Sequence, residues 1–144
     1  MRISDSPLAT VIRVKGHLVN KAQRELAVIK VARQKAMGAL ETLEGQHCSA
    51  MTDAVRKVKT RAVDLQTSQA FLQSLSRQIE RQATKVREVT KQEIGKREEL
   101  VGQSQSKTMI ERIDQRRKDE DAKMQERRAQ GVIDALAQRM RSES

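Results

Sequence analysis

The residues of this chain that are best suited to chemistry are two histidines and one cysteine. His17, His47 and Cys48 are its only soft metal ligands apart from methionine. Adjacent residues on a helix point about 100° apart, so His47 and Cys48 face different directions, and His17 lies far from both in sequence. A zinc site needs three or four converging ligands. The sequence therefore predicts no metal site and no cofactor.

Carboxylates and glycines give no catalytic pattern either. The acidic pairs Glu98-Glu99 and Glu120-Asp121 occur in stretches of mixed charge, where a solvated helix face accounts for them. All six glycines are isolated, so the chain has no glycine-rich loop that could cradle a phosphate. We therefore predict no catalytic residues and a protein that is not an enzyme.

The composition is that of long helices. Of the 144 residues 33% are charged, and there is one aromatic residue, one proline and six glycines. Such a chain has little material for a compact core, but its many Ala, Arg, Lys, Glu and Gln residues favour helix throughout. Long helices that bury a narrow apolar seam fit this composition.

The first half of the chain predicts one helix over about residues 7–59. Ser6 is a suitable N-cap, and Pro7 fits the first helical position, where no amide hydrogen bond is lost. Arg33 and His47 occupy seam positions, whereas Val28, Val31 and Met37 lie off the seam. The apolar heptad seam comprises Ile12, Val19, Ala22, Leu26, Ile29, Ala36, Leu40, Leu43, Ala50, Ala54 and Val58.

A turn over about residues 60–67 and a second helix over about 68–140, which ends in an overhang or a frayed end, are predicted next. Asp64, Thr67 and Ser68 are candidate N-caps. We expect the firmest packing near the turn, because the second seam becomes polar further along. This seam reads Leu72, Leu75, Ile79, Gln82, Val86, Val89, Glu93, Lys96, Leu100, Gln103, Lys107 and Ile110.

The predicted fold class is all-α, a long antiparallel two-helix coiled-coil hairpin in which residues 1–144 form a single domain. Folding back near residue 63 would pair residues 8–58 with about 68–118, leaving the amphipathic end of the chain as an overhang. A rival interpretation continues the seam through Ala62 and Leu65 as one unbroken helix, which would give a parallel dimer. The nearly equal lengths of the two arms favour the hairpin.

The only aromatic residue, Phe71, stands at the head of the second seam. Phe71 and Leu72 are adjacent and point about 100° apart, so we expect one of them to be exposed. An exposed aromatic residue beside the turn would be an anchor for a partner. A local cap over the turn is the alternative interpretation.

The net charge of +10 with a pI near 10.3 predicts an acidic partner, nucleic acid or an anionic surface. Residues 8–58 carry nine basic and four acidic side chains, residues 67–118 carry twelve and seven, and residues 119–144 carry five and six. The basic charge is therefore spread along both arms. No stretch is apolar and long enough for a signal peptide or a membrane span, so we expect a cytoplasmic protein.

Nucleic-acid binding is the alternative function that the charge suggests. Readers of nucleic acid combine basic residues with a folded motif or with stacking aromatics, and this chain has one phenylalanine. We therefore expect no specific nucleic-acid binding. A generic basic coiled-coil adaptor, or nonspecific phosphate binding with a steep salt dependence, stays open as the second hypothesis.

Three stretches of the sequence resemble one family. LATVIRVKGHLVNKAQRELA at residues 8–27, AFLQSLSRQI at 70–79 and, above all, RIDQRRKDEDA at 112–122 resemble the flagellar export protein FliJ and its relatives in virulence type III secretion, the YscO group. The resemblance implies a coiled-coil hairpin similar to the central stalk of rotary ATPases. It implies as partners the export ATPase hexamer, the membrane protein of the export gate, and export chaperones, with membrane contact only through partners.

The resemblance also implies two binding regions. Phe71 and Leu75 match the stretch of the family that contacts the export gate. The charged residues near the free ends match the part that meets the ATPase ring. These residues are Arg13, Arg112, Arg116, Asp119 and Glu120.

Overall fold

A computed structural model describes residues 7–56 and 62–143. Within these ranges the chain forms two helices, α1 over Pro7–Arg56 and α2 over Ala62–Ser142, and no strand. Contacts between α1 and α2 run in opposite directions along the two helices, as Arg33 with Glu93 and His47 with Ser76 illustrate. The prediction of an all-α antiparallel hairpin is confirmed.

The bounds of the helices differ from the predicted ones near the turn. Pro7 is the first residue of α1, as expected, whereas Ser6 and residues 57–61 lie outside the described residues. α2 begins at Ala62, so Asp64, Thr67 and Ser68 lie inside the helix and are not N-caps. Thr67 instead donates its hydroxyl hydrogen bond to the Val63 carbonyl oxygen at 3.0 Å. Such a bond to the carbonyl four residues earlier is typical of a threonine in the body of a helix.

The chain divides into two compact units. One, called here the terminal unit, comprises Met1–Asn20 and Val101–Ser144, and the other, the middle unit, comprises Lys21–Leu100. Each unit therefore contains a part of α1 and a part of α2. The single-domain prediction stays a prediction.

The side chains that the fold buries are mainly those of the predicted heptad seam. Among the described residues, every position predicted for the seams of α1 and α2 is buried or half-buried, including the polar ones such as Arg33 and Lys96. The off-seam residues Val28, Val31 and Met37 are exposed by 69%, 54% and 39%. The helical spacing of the apolar residues thus identified the packed face correctly.

The prediction that packing is firmest near the turn is wrong. Leu75 is buried there, but the other buried apolar side chains are Val19 in the terminal unit and Ala22 and Leu26 in the middle unit. The seam of α2 is mostly polar beyond Glu93, yet the aliphatic stems of long polar side chains also cover apolar surface. In the terminal unit, the end of the Lys107 side chain lies against Gly16, with Nζ 3.8 Å and Cε 3.9 Å from the point where a Cβ would lie on the glycine.

The last part of α2 is exposed on all sides. Every described residue from position 115 to 143 is exposed, as the predicted overhang requires. The helix continues to Ser142, so the structure shows the overhang, one of the two predicted alternatives, and not the frayed end.

Candidate partner-binding surfaces

A carboxylate lies buried in the seam of the middle unit. The side chain of Glu93 is 5% exposed, and it accepts hydrogen bonds from Arg33 across the hairpin, at 2.8 Å, and from Arg97 on its own helix, at 2.9 Å. Two guanidinium groups thus share one carboxylate, a charge-assisted arrangement stronger than a neutral hydrogen bond. We call these three residues the Glu93 cluster.

A second ion pair crosses the hairpin beside this cluster. The Lys96 ammonium donates to the Glu25 carboxylate on α1 and to Glu99, 2.9 Å away on α2. The hydrogen bond from Lys96 lowers the pKa of Glu25 below its ordinary value, and its charge acts in the same direction against a partial desolvation. The hydrogen bonds to Glu25 and Glu99 raise the pKa of Lys96. Both shifts favour the charged pair.

Two further polar contacts fix the register of the helices in the middle unit. Gln82 donates to the backbone carbonyl oxygen of Ala36 at 2.9 Å, and the Ser76 hydroxyl lies 3.4 Å from His47 Nε2. The midpoints in sequence between the partners of these two contacts, and between Arg33 and Glu93, fall at positions 59 to 63. These midpoints agree with the predicted pairing of the two arms, although position 63 itself is helical, since α2 begins at Ala62, and residues 57–61 lie outside the described residues.

The sequence named Arg33, Glu93 and Lys96 as polar seam residues but did not pair them. A signal was present, because Arg33 and Glu93 are symmetric about the predicted fold-back at residue 63 and carry opposite charges. Glu25 gave no such signal, since it stands beside the seam residue Leu26. Its long side chain reaches the seam from the flank.

The two residues expected at the export gate differ in their exposure. Phe71 is 54% exposed and Leu72 half-buried, which confirms that one of this adjacent pair faces solvent. Leu75, one turn further along α2, is only 3% exposed. Leu75 therefore belongs to the seam, and as a direct surface contact its expected role is not supported.

All five charged residues expected to meet the ATPase are exposed in the terminal unit. Arg112, Arg116, Asp119 and Glu120 lie at spacings of four, three and one, which places them on one face of α2. Counting from Gly16 and Lys107, which approach each other, Arg13 on α1 lies level with Ile110 on α2.

The opposite face of this stretch is held to the fold. Asp114 is buried, and Lys118 lies 3.2 Å from its carboxylate one turn further along α2. Gln115 donates to Asp119 at 3.1 Å. Asp114 is therefore the one buried residue of the stretch that resembles the family, and the other residues of 112–122 are exposed. The sequence did not predict the burial of Asp114.

No metal-binding arrangement occurs in the described part of the chain, where no three His, Cys, Asp or Glu side chains converge. His47 contacts Ser76, and Cys48 is a free, exposed thiol. Neither helix, within residues 7–56 and 62–143, carries a stretch long and apolar enough to span a bilayer.

The fold and its surfaces define a class of protein, an antiparallel coiled-coil hairpin that presents an aromatic residue in one unit and a charged helix face in the other. The family profile described as Flagellar FliJ protein matches residues 4–144. Because this match covers nearly the whole chain, the chain belongs to the FliJ family. Comparison with curated proteins and with solved structures gives no match.

Family membership fixes the function at a coarse level. The protein is a component of the flagellar type III protein export apparatus. FliJ proteins are not catalytic, and the chain is therefore not an enzyme. The family associates with the export apparatus, and the individual contacts are the subject of the proposal that follows.

Proposed function

We propose that this protein is a central stalk that binds the hexameric ring of the export ATPase through its terminal unit and couples the ring to the export gate. The observation that carries the proposal is the exposed face of Arg112, Arg116, Asp119 and Glu120, which lies in the stretch that most resembles the family. Arg13 belongs to the same contact. The protein would act at the cytoplasmic side of the apparatus.

The stalk needs no chemistry of its own to influence the ATPase. A single hairpin cannot contact six identical subunits in the same way, so it binds asymmetric states of the ring more tightly than symmetric ones. A ligand shifts a conformational equilibrium by this difference in affinity. The net charge of +10 suits an acidic ring lumen and makes the association sensitive to salt.

The contact with the export gate is assigned to Phe71. Exposed aromatic side chains are frequent energetic centres of protein interfaces. Leu75 supports this contact indirectly. Because it is buried in the seam, it holds this part of α2 against α1 and so fixes the position of Phe71. Escort of export chaperones belongs to the same proposal and rests on the family resemblance alone.

The experiment titrates the full chain into the export ATPase and follows assembly and ATP hydrolysis. We expect stimulation, and we expect Arg112→Glu combined with Arg116→Glu to reduce the apparent affinity at least tenfold, which corresponds to about 1.4 kcal/mol. The matched control is Arg77→Glu combined with Arg81→Glu, since this pair has the same spacing, is exposed and lies in the middle unit.

If the two variant pairs had equal effects, net charge alone would explain the affinity. Such a result would contradict binding through a specific face. Unchanged hydrolysis across the whole titration would contradict the stalk function itself. Nucleic-acid binding with a steep dependence on the logarithm of salt concentration, together with no effect on the ATPase, would support the basic adaptor instead.

A further inference from the structure

An apolar patch lies on the outer face of α1 in the middle unit. Val28 and Val31 are three residues apart and are exposed by 69% and 54%. Their positions lie roughly opposite the buried seam residues Ala22 and Leu26 on the helix. The hairpin therefore gains nothing from these two valines, and β-branched residues are less favourable in an exposed helix than alanine or lysine.

The valines are bracketed by cations on the same face. Arg24 lies four residues before Val28, and Lys35 lies four residues after Val31, so the order along the face is cation, apolar, apolar, cation. We call these four residues the outer stripe. No ion pair or hydrogen bond engages Arg24 or Lys35 within residues 7–56 and 62–143.

The nearest carboxylate does not neutralise the outer stripe. Glu25 is the only acidic residue between positions 21 and 40, and it is committed to Lys96 across the hairpin. Its distance to Lys21, 4.0 Å, is at the limit of an ion pair. The face therefore presents apolar surface between two uncompensated positive charges.

We propose that the outer stripe is the docking site for an acidic amphipathic helix of a partner protein. A partner helix with two apolar residues three apart, and a Glu or Asp four residues outside each of them, matches the outer stripe in spacing and in charge. Because the order cation, apolar, apolar, cation reads the same in both directions, such a helix fits in either orientation. This site lies on a different helix from Phe71 and from Arg112.

Charge selects this occupant over others. A second copy of the chain, docked through the same face, would bring Arg24 and Lys35 against like charges with no carboxylate between them, which is unfavourable. A membrane-binding helix normally carries large anchors such as Trp, Phe or Leu on its apolar face. The outer stripe offers two valines only.

The test uses the full chain and a fluorescein-labelled helical peptide of about 22 residues that is rich in Ala and Gln and carries the order Glu, Leu, Leu, Glu at spacings of four, three and four. Fluorescence anisotropy measures its binding. A control peptide has Lys in place of both Glu residues. We expect the acidic peptide to bind at least tenfold more tightly than the basic one, a difference of about 1.4 kcal/mol.

Variants assign the binding to the outer stripe. Val28→Ser combined with Val31→Ser should lower the affinity for the acidic peptide at least tenfold. The control Val63→Ser, at a valine that is also 69% exposed, should leave this affinity unchanged. Arg24→Glu combined with Lys35→Glu should reverse the preference, so that the basic peptide binds and the acidic one does not. Circular dichroism checks that the variants remain helical.

Several outcomes would overturn the proposal. Equal binding of both peptides would do so. Binding that is lost when the cations are replaced but kept when the valines are replaced would do so as well. Self-association in sedimentation that disappears with Val28→Ser, or binding to vesicles of anionic phospholipid or to RNA that competes with the peptide, would assign the face to another occupant. All these variants should stimulate the export ATPase normally, so failure here is distinguishable from failure of the stalk proposal.

Discussion

Phe71 and Leu75 lie one helical turn apart on α2, yet 54% of the first and 3% of the second is exposed. A shift of four residues rotates a side chain by only about 40°, and here that rotation separates the edge of the seam from its centre. The two residues therefore test different properties, one the binding of a partner and the other the stability of the hairpin.

Phe71→Ala should weaken binding to the export gate at least tenfold and change the thermal unfolding temperature little, because an exposed side chain contributes little to packing. Leu75→Ala should lower the free energy of unfolding by about 2–3 kcal/mol, at the lower end for a buried leucine, since a two-helix seam is partly open. The measurements are a pull-down with the gate's cytoplasmic domain and denaturant unfolding. A Phe71→Ala protein that binds normally would remove the gate contact from this residue.

The Glu25–Lys96 pair gives a pH dependence of stability at both ends of the scale. Because the pKa of Glu25 is lowered in the folded state, its contribution is present above the ordinary value of 4.5 and is lost as the pH falls through the lowered value. Because the pKa of Lys96 is raised from 10.5, its contribution is present below that value and is lost as the pH rises through the raised one.

Lys96→Met should therefore flatten the acid side of the stability profile below pH 4.5 and the alkaline side above pH 10.5, relative to the unaltered protein. Thermal unfolding measured between about pH 2.5 and 11.5 checks this, and an NMR titration of Glu25 should show its pKa returning toward the ordinary value. Lys91→Met, at an exposed lysine on the same helix, is the control. Identical profiles for both variants would contradict the role of the pair.

At the scale of the elements, α1 and α2 are joined by a seam that has a buried carboxylate among its buried apolar residues. The Glu93 cluster places a carboxylate that is 5% exposed between two guanidinium groups, and the Arg33 Nε atom is buried with no hydrogen-bond partner in the described structure. Buried polar groups in coiled coils specify register at a cost in stability. We infer that the cluster fixes which residues of the two helices face each other.

Glu93→Gln should lower the free energy of unfolding by about 1–2 kcal/mol, because hydrogen bonds to charged groups contribute in this range and Arg33 is 40% exposed. Arg97→Gln should cost less than about 1 kcal/mol, since Arg97 is 59% exposed. Replacing both Arg33 and Glu93 by Leu should change stability by less than about 1 kcal/mol.

The double leucine variant should instead loosen the register. A set of variants in a chain with Cys48→Ser would report this, each with one cysteine at Lys30 and the second at Lys91 or one turn to either side of it. One pair of the set should crosslink in the unaltered background, and several pairs should crosslink in the double leucine variant. A variant that keeps one register and loses 3 kcal/mol or more would make the cluster a source of stability and not of specificity.

At the scale of the whole molecule, the hairpin predicts short distances between residues that are far apart in sequence. Asn20 and Gln105 are both exposed in the terminal unit, on the two helices that pack at about 8–10 Å. Spin labels at these positions, with Cys48→Ser, should give intramolecular distances below about 25 Å once the label linkers are included. An unbroken helix would separate them by about 130 Å, at about 1.5 Å per residue.

Dilution with unlabelled protein distinguishes the hairpin from a dimer. Intramolecular distances keep their distribution on dilution, whereas the signal between chains of a parallel dimer decreases. Loss of the short distance in the diluted sample would contradict the fold on which the stalk proposal depends.

The amino-acid sequence by itself determined the two helices, the fold-back near residue 63 and the seam, including polar members such as Arg33 and Glu93. These features depend on the local 3.6-residue spacing and on composition, which need no knowledge of the partner helix. The sequence did not predict that α2 begins at Ala62, before the candidate N-caps. A threonine can cap a helix or form a hydrogen bond within it, as Thr67 does, and the neighbouring sequence does not distinguish the two.

Only the tertiary structure decided which seam residues contact each other and how deeply each of them is buried. The pairing of Glu25 with Lys96, the choice of Leu75 over Phe71 for burial and the burial of Asp114 all depend on register and on the reach of long side chains. A shift of the fold-back by one or two residues would exchange these partners without altering any periodicity. Periodicity therefore fixes the face of each helix that packs, and the register, set by the turn, fixes the contacts on that face.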